Sequence, residues 1–302
     1  MIKEIWENLN RAYPELVKRF EGDHEKIGKV IDLANEFKNR FINIYKLPRD
    51  TEMQKIVETF ERINRTGKPF SVFDLAVARL YKYGINLRNL LNKANENYNF
   101  VKYVKPENIL KVIAIIRGKD PKRKNILNLE LDEFESDWQR ACEYLEQAYR
   151  RITDLRNGYG VLNFKKWTPY SSMIVPLASI LWFIKDKYES LANYAKVDAW
   201  YWISVFDRRY DQAVDTTSFE DYKKLKGWIQ NDNLPDFVKS FKPNEIDLSV
   251  DRQSGAIYRE VMSLVVLKGA LDFKTVNHHS SILTKLKMTI FFYTRYFEKI
   301  AF

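Results

Sequence analysis

Cysteine is almost missing from this sequence. Cys142 is the single one in 302 residues, so no intramolecular disulfide can form, which fits a reducing compartment such as the cytoplasm. Histidine is nearly as rare, with 3 residues, and no Cys/His cluster has zinc-site spacing. Glycine (10) and proline (9) are scarce, which leaves few turns and disfavours a many-stranded sheet. Those glycines form neither G-x-G-x-x-G nor G-x-x-x-x-G-K-[ST], which excludes the standard phosphate-cradling loops. A G-x-S-x-G nucleophile elbow is also absent. Long apolar runs are lacking too. The longest, "MIVPLASILWFI" at 173–184, is too short to span a bilayer and contains Pro176. The N-terminal "MIKEIWENLNRAYPEL" is charged and amphipathic, without a signal-peptide core. These absences lead us to expect a cytoplasmic protein with no membrane partner.

Aromatic residues are plentiful at 15%, and each buries a large apolar area. The formal charge of +10 and pI near 9.3 favour polyanionic partners, phosphate backbones above all. Period-3.6 patterns dominate the chain, so the expected fold is mainly α: an irregular multi-helix domain with at most one short hairpin, near "FINIYKLP" (41–48). Residues 1–50 read as N-terminal helices and an extended link, and 51–302 as a helical domain. That boundary is weak enough for a single domain. The polar "NKANENYN" (92–99) reads as a loop and "GKDPKRKN" (118–125) as a charged loop, while 173–210 reads as one continuing helical stretch.

The segment "FERINRTGKPFSVFDLAVARL" reads as a helix, a tight turn and a second helix. Gly67 closes the first helix and Lys68-Pro69 forces extension. Ser71 and Asp74 then form a capping box. Cations that could meet phosphate are Arg62, Arg65 and Lys68 at this joint, Lys119, Lys122, Arg123 and Lys124 in the charged loop, and Arg208 and Arg209 farther on. His278 and His279 are the weak catalytic candidates. Adjacent residues point apart on regular structure, so one of them would act alone as a general base. No metal site and no cofactor are expected.

Several strings together resemble one family. "NIYKLPRDTEMQKIVETFERINRTGKPFSVFDLAVARLY" resembles the joint that follows the DGQQR domain in GmrSD-type proteins, the modification-dependent Type IV restriction family. "WTPYSSMIVPLASIL", "AWYWISVFDRRYDQAV", "LKGWI" and "GAIYREVMSLVVLKGALDF" look like later landmarks of the same helical region, so the resemblance covers about 40–275. It implies a restriction-related role in defence. The ParB-like, nucleotide-hydrolysing DGQQR domain has no counterpart, since no "DGQ" string occurs. Where longer members lead to an HNH-type motif resembling D-H-H-I-x-P, this chain has Asn277-His278-His279-Ser280-Ser281-Ile282, with the leading acid replaced.

The expectation is therefore a non-catalytic helical subunit that binds DNA or another nucleic acid, or assembles with a separately encoded DGQQR-type or nuclease subunit. A residual metal-dependent nuclease using His278 or His279 and a protein–protein scaffold are the alternatives.

Overall fold

Ser71 begins a helix by the local chemistry its sequence predicts. Its hydroxyl accepts from the Asp74 amide at 3.1 Å, and the Asp74 carboxylate accepts from the Ser71 amide at 3.2 Å. The computed structural model describes residues 23–38, 46–48, 70–246 and 255–268, together with isolated positions before residue 60. It divides into two compact units, Met1–Ile56 and Val57–Phe302. In the first, α1 (His24–Lys38) starts beside Asp23, whose carboxylate accepts from the Lys26 amide at 3.1 Å. The hairpin expected near 41–48 falls outside the described residues except at 46–48, which are irregular. The joint at 60–69 also lies outside them.

The second unit contains α2 (Val72–Tyr81), α3 (Leu87–Asn97), α4 (Glu107–Ile116), α5 (Arg123–Leu127) and α6 (Phe134–Thr153). These are followed by α7 (Phe164–Trp167), α8 (Ile174–Lys187), α9 (Leu191–Phe206), α10 (Val214–Asn231), α11 (Asp236–Lys239) and α12 (Ala256–Leu267). No strand occurs among the described residues, and the protein is mainly α. None of the described helices is long and apolar enough to cross a membrane.

The apolar run at 173–184 becomes the central helix α8, packed against α4, α6 and α10. Every residue from Ile174 to Trp182 is buried, as a helix apolar on all sides requires. Pro176 sits in its first turn, where a missing N–H costs no intrahelical bond. Across from it, α6 buries Phe134, Trp138, Ala141, Cys142, Leu145, Ala148 and Ile152 along one stripe. The buried Glu146 on the same helix accepts from the Asn99 and Phe100 amides at 2.9 and 3.0 Å, pinning the turn between α3 and α4.

Cys142 is packed, as its helical context suggests, and burial pushes its thiol up to about 12. We therefore expect no labelling of the native protein by a disulfide reagent at about pH 8, and stoichiometric labelling once it is unfolded. Rapid labelling of the folded chain would contradict this packing.

Local structure departs from the sequence reading at three places. Residues 92–97 continue α3, because Leu90, Leu91 and Ala94 pack against the core and Asn86 caps the start by accepting from the Asn89 amide at 3.1 Å. The stretch 173–210 is two helices, broken at Tyr188–Ser190, where the Ser190 hydroxyl accepts from the Asn193 amide at 3.1 Å. Part of the charged loop 118–125 is helical, since Arg123 starts α5 and Ile126 and Leu127 are buried.

Candidate functional site

One concave site among the described residues grows from the end of α6. Asp154 follows this helix, and its carboxylate accepts from the amides of Arg156 and Asn157 at 2.8 and 3.1 Å. The chain then doubles back. Tyr159 donates its amide to the Arg151 carbonyl at 2.9 Å, and Val161 donates to the Ile152 carbonyl at 3.1 Å. Two glycines permit so close a return. A Cβ at Gly158 would lie 2.0 Å from the Arg151 carbonyl oxygen. Gly160 has φ +73°, and a Cβ there would lie 2.5 Å from the Ser263 carbonyl oxygen on α12. Gly160→Val is accordingly expected to cost at least about 2 kcal/mol in a denaturant titration, from left-handed strain plus overpacking. A loss below about 0.5 kcal/mol would contradict this packing.

This return loop delivers the buried Tyr159 to α9. Its ring stacks on Tyr201 with centroids 3.7 Å apart and meets Trp202 edge-on at 5.7 Å. Its hydroxyl donates to Asp198 Oδ1 at 2.8 Å. Arg151 grips the same carboxylate, with Nη2 at 2.6 Å from Oδ1 and 2.7 Å from Oδ2 and Nε at 3.0 Å from Oδ1. Burial raises the Asp198 carboxyl, opposed by Arg151 and by the Tyr159 hydroxyl. Burial also works against the Arg151 charge, but Tyr159 and Asp198 outweigh it and hold the guanidinium ionised.

The loop, α9 and α12 enclose a cleft of about 330 Å³, lined by Arg156, Asn157, Trp202, Leu264, Leu267 and Lys268, with Tyr159 and Asp198 at its wall. Arg156 and Lys268 are exposed and make no ion pair, while the Asp198 charge is met by Arg151. The cleft thus carries surplus positive charge beside aromatic and aliphatic surface. That combination suits an anion with an apolar or planar body.

Behind this wall sits a buried acid. Glu260 on α12 is fully buried, and neither carboxylate oxygen has a hydrogen-bond partner. The hydroxyls of Tyr201 and Ser204 on the facing α9 are likewise buried without partners. Burial drives the Glu260 carboxyl well above its ordinary range. Tyr201 is pushed up by burial and by the nearby Glu260. No local pattern in "GAIYREVMSLVVL" sets Glu260 apart; only its place on the apolar face of a predicted helix hinted at burial.

The cations expected to meet phosphate fare unequally. Lys119 pairs with Glu130 and Lys122 with Asp120, both at 2.7 Å. Arg209 is an internal tie. Its guanidinium bonds the buried Asp221 and lies 4.4 Å from the Phe237 ring. Arg123 is half-buried at the start of α5. Lys124 and Arg208 are exposed, on different elements. Arg62, Arg65 and Lys68, and the histidine pair His278 and His279, lie outside the described residues. Among the described residues, no group of three or more His, Cys, Asp or Glu could hold a metal ion. Sequence reading missed Arg156, Asp198 and Lys268; the glycine-punctuated "RNGYG" was a signal for Arg156 alone.

Comparison with known proteins adds a relative. The chain is 30% identical over 283 residues to the uncharacterized protein MJ0686 of Methanocaldococcus jannaschii. The match takes in 88% of this chain and 47% of that protein, so the chain spans about half the relative's length. No family model matches the chain, and no solved structure matches it.

Proposed function

We propose that this chain is a non-catalytic, helical nucleic-acid-binding or assembly subunit related to the GmrSD-like modification-dependent restriction proteins. The observation that carries the reading is the +10 charge of the chain together with exposed cations that make no ion pair among the described residues, Lys124 and Arg208 as well as Arg156 and Lys268 on the rim of the cleft. Charges already matched by acids, as at Lys119 and Lys122, offer less to a phosphate than these. Two of the buried carboxylates hold the scaffold together, Glu146 at a turn and Asp221 between helices. A separately encoded DGQQR-type or nuclease subunit is the partner this reading calls for.

Fluorescence anisotropy with labelled duplex and single-stranded DNA tests it. Two to four phosphate contacts should make affinity fall roughly ten- to a hundredfold between about 50 and about 200 mM salt. Salt-insensitive binding, or none, would contradict the nucleic-acid reading. Magnesium-dependent cleavage abolished by His279→Ala would contradict the non-catalytic one.

A further inference from the structure

Resting on the nucleic-acid reading, we propose that the surface around Tyr103 binds a single-stranded nucleic acid, with one base on the Tyr103 ring and the neighbouring phosphates at Lys102, Lys105, Lys165 and Lys166. The single turn Phe100–Lys102, α6 and α7 converge there. Tyr103 follows the turn, and its ring stacks on Tyr149 of α6 with centroids 5.5 Å apart and planes at 8°. Phe164, the buried first residue of α7, has its ring 6.3 Å from Tyr103 and 5.4 Å from Tyr149. These contacts hold Tyr103 in place yet leave it 45% exposed. A fixed and exposed ring suits an unpaired base, because every base has a π-face and the ring loses little freedom on binding. Tyr81 and Tyr83 are more exposed, but among the described residues no ring contact holds them.

Charge is gathered around the same ring. Lys102 and Lys105 flank Tyr103 in the chain, and Lys165 and Lys166 follow Phe164. All four are exposed and make no ion pair among the described residues. Acids are few here. None occurs from Leu155 to Lys185. Glu146 is buried, with its oxygens taken by the Asn99 and Phe100 amides and by Arg150. Glu107, in the first turn of α4, is the acid beside Lys105 in the chain, so the balance stays positive. A duplex keeps its base faces in its own stack, so the exposed ring selects a single strand. The lysines meet the phosphates of DNA and RNA alike.

Fluorescence anisotropy of the full chain with labelled oligo-dT, oligo-U and a duplex of equal length tests this. A single strand is expected to bind more tightly than the duplex, and the tighter of oligo-dT and oligo-U names it as DNA or RNA. Tyr103→Ala should weaken that strand by about tenfold, and Tyr103→Phe should stay within about twofold of wild type. Lys165→Ala combined with Lys166→Ala should lower the slope of log affinity against log salt by about 1.4. Lys223→Ala combined with Lys224→Ala on α10 makes the same change in charge and should leave that slope within about 0.3. Should Tyr103→Ala lower the melting temperature, the two lysine pairs decide alone. Unchanged affinity in a folded Tyr103→Ala, an equal loss of slope in both lysine pairs, or tighter binding of the duplex overturns the proposal and leaves the subunit reading standing. If neither strand nor duplex binds in a salt-dependent way, the subunit reading fails with it.

Discussion

Asp221→Ala is expected to destabilise the protein by about 3–5 kcal/mol, the cost of leaving a buried cation without its partner. Asp221 on α10 is fully buried and accepts from three side chains. Trp200 Nε1 on α9 donates at 2.8 Å, the Tyr210 hydroxyl donates at 3.0 Å, and the Arg209 guanidinium completes the set. Those donors straddle the turn from α9 to α10, where Arg208 and Ala213 both take positive φ, at 52° and 49°. One carboxylate thus ties two helices and a strained turn, and its removal orphans every donor at once. Asp221→Asn keeps the shape and should cost less. Chemical denaturation of both variants is the check, and a loss below about 1 kcal/mol for the alanine form would contradict the tie.

Glu260→Gln should raise stability at neutral pH and leave it unchanged in acid. The wild-type carboxyl is raised well above its ordinary value of 4.5 by burial, with no partner to favour the charged form. A carboxyl raised in the folded state contributes its full share of stability below the unfolded value. As pH climbs past that value, the unfolded chain releases a proton that the folded chain retains. Stability then falls by about 1.4 kcal/mol per pH unit until the folded-state value is passed. Glutamine has no such proton, so the stabilities of the two forms should coincide near about pH 4 and diverge as pH rises above it. Parallel stability profiles above about pH 4 would mean that burial does not raise the Glu260 carboxyl.

The sequence revealed the scaffold far better than the site. Periodicity, the Ser71–Asp74 capping box and the apolar run of α8 are local signals, and each appears in the structure where local chemistry placed it. The Asn-rich end of α3 misled because tertiary packing of Leu90, Leu91 and Ala94 overrides the weak propensity of the residues around them. The break at Ser190 was present as an N-cap but was masked because the charged Lys185–Glu189 before it and the apolar residues after it continue an amphipathic helical pattern. The cleft was hidden for another reason. It joins Arg156, Asp198 and Lys268, which are far apart in sequence and meet only through helix packing. Likewise a run of lysines shows charge but not its compensation. Lys119 finds Glu130 eleven positions on, and Arg209 finds Asp221 across a turn.

Hydrogen–deuterium exchange of the full chain with and without a single strand tests the central claim, that the Tyr103 surface and not the charged loop is where this protein meets its anion. The account predicts added protection in 99–105 and in 163–168, with little change in 118–125. Protection centred on 118–125, with the Tyr103 segments unchanged, would contradict it.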